Sequence, residues 1–181
     1  MPKFKLSPLK TVYKGIIFTI KQGPVTLANG KTITYEYCER PPSVSVLAFN
    51  NKNELLLIRE QRYNSKNVWF LPAGKMDHKN DTPKKAALRE LREETGYTAK
   101  TIKQINKKSP SNTLRWDIYE FVAKNLVWSP LPKDPGEKIT HHFVPFKKAL
   151  TMALDGTIEN EFIAYNIIRF NEMKKSGQFK W

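Results

Sequence analysis

Residues 71–97 read LPAGKMDHKNDTPKKAALRELREETGY, and this stretch decides the fold. Its second half predicts a helix over Pro83–Thr95, with Thr82 as a side-chain cap, Pro83 at the first helical position and Gly96 as the stop. Ala87, Leu88 and Leu91 fall on one side of that helix and face a core. Glu90, Glu93 and Glu94 recur at i, i+3 and i+4 on another side. Like charges at such spacings destabilise a helix by roughly 0.2–0.5 kcal/mol per pair, so three carboxylates in one patch call for a cation. Hard oxygen donors suit magnesium, with manganese as the alternative, and either ion also engages phosphate oxygens. Arg89 stands four residues before Glu93, the spacing of an ion pair that fixes a carboxylate's direction. Taken by itself, the helix also reads as a charged, solvated face.

The sequence on either side predicts strands. SVSVLAF (43–49) and ELLLIRE (54–60), separated by polar NNKN, are apolar runs of the kind found in a sheet covered on both faces, and VWFLPAG (68–74) is a third. Strands return at 99–105 and 114–123, and a proline-rich loop, SPLPKDPGEK, leads into ITHHFV. His141 and His142 alternate faces of that last strand and read as structural, while Trp69 suits either a pocket lining or a core. Two helices follow, Phe146–Leu154 and 159–174, the second with Phe162, Tyr165 and Ile168 at helical spacing. Towards the N-terminus, GIIFTI (15–20) and TITYEY (32–37) are strand-like, with Asn29-Gly30 between them as a hairpin signal. Pro41-Pro42 breaks the pattern, so a small β appendage over residues 1–40 precedes a core domain over 41–181.

The stretch 71–97 resembles the Nudix box, a glycine-led loop and helix ending in an arginine-glutamate, double-glutamate, glycine pattern. The resemblance implies an α/β Nudix fold, a mixed β-sheet sandwiched between helices, carrying here the small N-terminal β appendage. It also implies a pyrophosphohydrolase whose magnesium is held by the backbone carbonyl of Ala73 with Glu90, Glu93 and Glu94. Arg89 orients the cluster, and the general base is either Glu93 or Glu137 of DPGEKI. Two departures stand out. Asp81 replaces an early glutamate of the box, and reaching it from Gly74 takes one residue more than the usual spacing, which bears on loop geometry more than on chemistry.

IREQRY (58–63), WFLPAGKMD (69–77) and DGTIENEFIAYNII (155–168) resemble the ADP-ribose pyrophosphatase branch of that family. By resemblance, Tyr35, Glu36 and Arg40 of YEYCER, together with Arg62, contact substrate: an aromatic face stacks on a base, a carboxylate accepts from an exocyclic amine, and arginine forks onto phosphate. A second stacking aromatic found in some members is Ile17 here, which weakens the case for adenine. The expected substrate is a nucleoside-diphosphate sugar, ADP-ribose first, and the expected assembly a homodimer. GDP-mannose, a dinucleotide cofactor, an RNA 5′ end and a non-catalytic RNA-binding role are the alternatives.

The 181 residues, 40% of them hydrophobic, suffice for one buried core and the appendage. The N-terminal residues lack the apolar stretch of a secretory signal and no run is long enough to span a bilayer, so a cytoplasmic protein without membrane contact is expected. Cys38 is the single cysteine, which excludes an intramolecular disulfide and a cysteine-based zinc site. The formal net charge of +14 exceeds what a small-metabolite enzyme needs. It is mostly lysine spread along the chain, so a nucleic-acid partner is admitted but not favoured.

Overall fold

The structure is a computed structural model that describes residues 5–6, 8–61, 68–131 and 138–181. Its elements run β1 (Lys5–Leu6), β2 (Lys10–Lys14), β3 (Thr19–Thr26), β4 (Thr32–Glu39), β5 (Ser43–Ala48), β6 (Glu54–Gln61), β7 (Val68–Phe70) and β8 (Ala73–Lys75). Helix α1 (Pro83–Thr95) follows, then β9 (Tyr97–Lys108), β10 (Leu114–Arg115), β11 (Ile118–Trp128), β12 (Lys138–Pro145), α2 (Phe146–Leu154) and α3 (Glu161–Lys175). No helix among the described residues is long and apolar enough to cross a membrane.

The chain divides into two compact units, one of Met1–Pro42 with Lys107–Ile118 and one of Ser43–Asn106 with Tyr119–Trp181. The first holds a sheet in the order β1-β3-β4-β10, with β2 also on β3. β3 and β4 pair antiparallel from Thr19↔Glu39 to Thr26↔Thr32, and Gly30 takes the left-handed φ of +78° that the intervening turn requires. The strand expected over GIIFTI is displaced. Residues 15–18 form a reversal in which the Gly15 amide donates to the Phe18 carbonyl at 2.8 Å, and β3 begins only at Thr19. Branched apolar residues carry the strand signal there, yet Ile16 is 99% exposed. The boundary expected at Arg40 lies close to the division after Pro42, but residues 107–118, expected in the core domain, belong to the first unit. β10 adds parallel to β4 there, Leu114 opposite Cys38, and the strand expected over 114–123 is broken into β10 and β11.

The second unit contains the sheets β8-β5-β11-β9 and β12-β6-β7. All six residues of β5 are buried, Ser43 and Ser45 among them, as expected of a strand in a sheet covered on both faces. Successive residues of β5 and β6 enter two different cores. Leu47, Leu55 and Leu57 join α2 and α3 residues such as Ala149, Ile163 and Phe170. Val46, Ala48 and Leu56 join Ala86, Ala87 and Leu91 of α1. The strands therefore lie between α1 and the α2–α3 pair. The inner face of α3 is Ile163, Asn166, Ile167 and Phe170. Phe162 and Tyr165, whose spacing marks the helix in the sequence, are 39% and 53% exposed. His141 and His142 do alternate: the first packs edge-on to Tyr97, the second against Trp69.

Candidate active site

Helix α1 is set in place by its ends. The Thr82 side chain accepts from the Lys85 amide at 3.3 Å, and Gly96 closes the helix in the left-handed region, its amide donating to the Arg92 carbonyl. A Cβ at Gly96 would lie 2.6 Å from the Trp128 ring. The side chain of Arg92 donates to the Ser129 carbonyl, and the Ser129 amide returns a bond to the Gly96 carbonyl at 2.8 Å. Leu91 and Ala87 are buried as expected, and Ala86 joins them, while Leu88 is only half-buried.

Four oxygen acceptors surround Arg89. Its guanidinium donates to Glu93 at 2.9 Å, to the Lys75 carbonyl at 2.9 Å and to Asp81 at 3.3 Å, and pairs with Glu90 at 2.7 Å. These carboxylates hold the arginine more firmly protonated than usual against the opposing cost of its burial. Burial pushes the Glu90 carboxyl up, and the charges of Glu93 and Asp77 add to that, more than Arg89 offsets. The Glu90 carboxylate lies directly over Gly74, where a Cβ would collide with it. Glu94 turns to β8 and accepts from the Ala73 amide at 2.9 Å. Amide and carbonyl of one residue leave a strand on the same side, and the neighbouring Pro72 carbonyl bonds back to Val46 of β5, so the Ala73 carbonyl faces α1.

The donor set fits a hard divalent cation. Glu90, Glu93, Glu94 and a backbone carbonyl offer only oxygen, and a cation would compensate a carboxylate whose charge burial makes costly. Among the described residues no three acidic, histidine or cysteine side chains already converge as a metal cluster. Arg89 and the Ala73 amide engage the carboxylates instead.

In the first unit, Tyr35 donates to the Asn112 carbonyl at 3.0 Å and lines an open cleft of about 710 Å³ with Ser109, Pro110, Ser111, Asn112 and Arg115. Alternation along β4 sends Glu36 to the face opposite Tyr35, and Arg40 follows the strand's end, so the trio does not lie on one face of β4. Glu36 accepts from Gln22 at 3.5 Å. Arg40 stacks over Trp116 at 4.0 Å and lies 5.7 Å from the Phe18 ring, and its buried Nε has no hydrogen-bond partner. Arg62 and Glu137 lie outside the described residues.

The model of the NUDIX domain matches residues 39–180. This chain belongs to the Nudix family. It is 35% identical over 117 residues to an ADP-ribose pyrophosphatase of Bacillus subtilis (strain 168), covering 64% of this chain and 63% of that one. It is 32% identical over 127 residues to a methanol dehydrogenase activator of Bacillus methanolicus, covering 68% of each. With an ADP-ribose pyrophosphatase of Mycobacterium tuberculosis it shares 30% identity over 99 residues, 54% of this chain and 48% of that one. These alignments span between about half and two thirds of the relatives' lengths. Among solved structures, a crystal structure of ADP compounds hydrolase has the same fold, with a TM-score of 0.80 at 22% identity over 98% of this chain and 97% of that one. The protein is thus a Nudix hydrolase of the branch that includes ADP-ribose pyrophosphatases.

Within this Nudix site the departure at Asp81 has a plain physical outcome. Its side chain, 11% exposed, accepts from Arg89 and so supports the arginine from the loop. The sequence did not disclose the Lys75 carbonyl as a further acceptor, nor Arg92 and Trp128 as anchors of the helix end. The glycine of LPAG was the one available signal for the cradle beneath Glu90.

Proposed function

We propose that this Nudix hydrolase cleaves the diphosphate of a nucleoside-diphosphate sugar, with ADP-ribose giving AMP and ribose 5-phosphate. The observation that carries the reading is the pinned acidic face of α1, with Glu90 over Gly74, Glu93 on Arg89 and Glu94 on the Ala73 amide. Glu90, Glu93, Glu94 and the Ala73 carbonyl would hold magnesium or manganese. The bound ion supplies positive charge for the diphosphate oxygens and makes water acidic enough to attack near neutral pH. Attack forms one P–O bond at one phosphorus and breaks the bridging bond to the other phosphate. The proton passes to a carboxylate. Glu93 suits that task because its side chain is 40% exposed while Arg89 keeps it oriented, and Glu137 is the alternative base.

Tyr35 would stack on the base, Glu36 would accept from its amine, and Arg40 and Arg62 would pair with phosphate. The unpartnered Nε of Arg40 supports its part in this. A homodimer joined through the first unit completes the proposal, supported by the exposure of Val12 at 54%, Tyr13 at 60% and Ile16 at 99%. Light scattering should then give twice 21.0 kDa, and a monomer at assay concentration rejects that part.

The test of the substrate is purified protein with magnesium and a panel of ADP-ribose, GDP-mannose, a dinucleotide cofactor, a nucleoside triphosphate and capped RNA, with products separated by chromatography. AMP from ADP-ribose at the highest kcat/KM is the expected result. Cleavage of another panel member at a higher kcat/KM reassigns the substrate, and survival of every member by folded protein ends the proposal.

A further inference from the structure

Hydrolysis of a small diphosphate uses little of the net charge of +14. In the second unit, part of that charge gathers round two aromatic rings. Phe179 is buried and Trp181 is 50% exposed, their rings edge-to-face at 5.0 Å. Lys124 of β11 holds its ammonium 4.3 Å from the Trp181 ring centre. Lys103 of β9 lies 5.5 Å from the Phe179 ring and donates to the Lys180 carbonyl at 3.3 Å. The side chains of Lys103, Lys124 and Lys180 are paired with no carboxylate among the described residues. An ammonium beside a ring keeps its full charge and spare donors, and the half-exposed indole offers a stacking surface to solvent.

We infer that this surface binds single-stranded nucleic acid, with Lys103, Lys124 and Lys180 on successive phosphates and Trp181 stacked on a base. Lysine alone would attract any polyanion. A half-exposed tryptophan beside lysines that no carboxylate neutralises is the combination that single strands use, because every base has a face to stack whatever its sequence.

The test is fluorescence anisotropy of the intact protein with labelled oligouridine and oligothymidine of about 12 nucleotides, without magnesium, over a salt series. Wild type should bind, with an affinity that falls as salt rises. The Lys103→Gln/Lys124→Gln double variant should flatten the log–log salt slope by about 1.4, that is about 0.7 for each lost phosphate contact. Trp181→Ala should weaken binding about tenfold at an unchanged slope, and Trp181→Phe should restore most of it, which separates stacking from a folding defect. None of these changes should alter hydrolysis of a small substrate. No binding at low salt overturns the inference. It is equally overturned if Trp181→Ala, folded by circular dichroism, binds as wild type does, or if heparin or phosphatidylserine vesicles bind more tightly than the oligonucleotides.

Discussion

Gly74 and Glu90 show how much a single atom decides at this site. A Cβ at position 74 would occupy the space of the Glu90 carboxylate, so Gly74→Ala must push Glu90 aside. Displacements of about an ångström at reacting groups cost on the order of 100-fold in rate. Gly74→Ala should therefore lose activity on that scale while its melting temperature stays close to wild type, as steady-state kinetics and calorimetry would show; undiminished kcat/KM contradicts the placement of Glu90. A second residue-scale expectation concerns pH. The Lys21 ammonium, 2.8 Å from Glu39, holds that carboxyl below the ordinary carboxylate range by a hydrogen bond. A depressed carboxyl contributes stability above its unfolded value and loses that contribution as pH falls through the folded one. Lys21→Met should raise the Glu39 titration midpoint in carboxyl-edited NMR and shrink the acid-side loss of stability. An unchanged midpoint contradicts the pairing.

Among the elements, α1 was legible to the residue because its signals are local: a capping threonine, a proline at its start and a glycine at its end. Thr82→Ala should cost about 1 kcal/mol in urea unfolding. Gly96→Ala should cost more, since the left-handed backbone alone adds about 1–2 kcal/mol and the new methyl meets Trp128. The reverse ranking would argue against the Trp128 contact. Helix α3 shows where periodicity fails. Phe162 and Tyr165 are spaced as well for a buried stripe as Ile163, Ile167 and Phe170, and both sets lie on the same helix. What chooses between them is contact with β5, β6 and α2, which no spacing within the helix discloses. The same holds for residues 15–18, where branched side chains belong to a turn whose Ile16 stands 99% exposed.

Across the whole molecule, local chemistry was readable and long-range pairing was not. The acidic face of α1 and the role of Arg89 follow from spacing within one helix. The membership of residues 107–118 in the first unit shows in β10 joining β4, strands more than seventy positions apart, and β10 has only two residues. The trio proposed for substrate was readable as residue types but not as a surface, because alternation along β4 sets Tyr35 and Glu36 on opposite faces. The proposed function rests at this scale on one chemistry, metal-assisted cleavage at the carboxylates of α1. The measurement that tests it most directly is the rate of AMP formation from ADP-ribose by wild type and by Glu94→Gln across a magnesium titration. The wild-type rate should saturate with magnesium and vanish with chelator, and folded Glu94→Gln should lose at least about 100-fold. A Glu94→Gln enzyme that keeps the wild-type rate and the same magnesium dependence would contradict it.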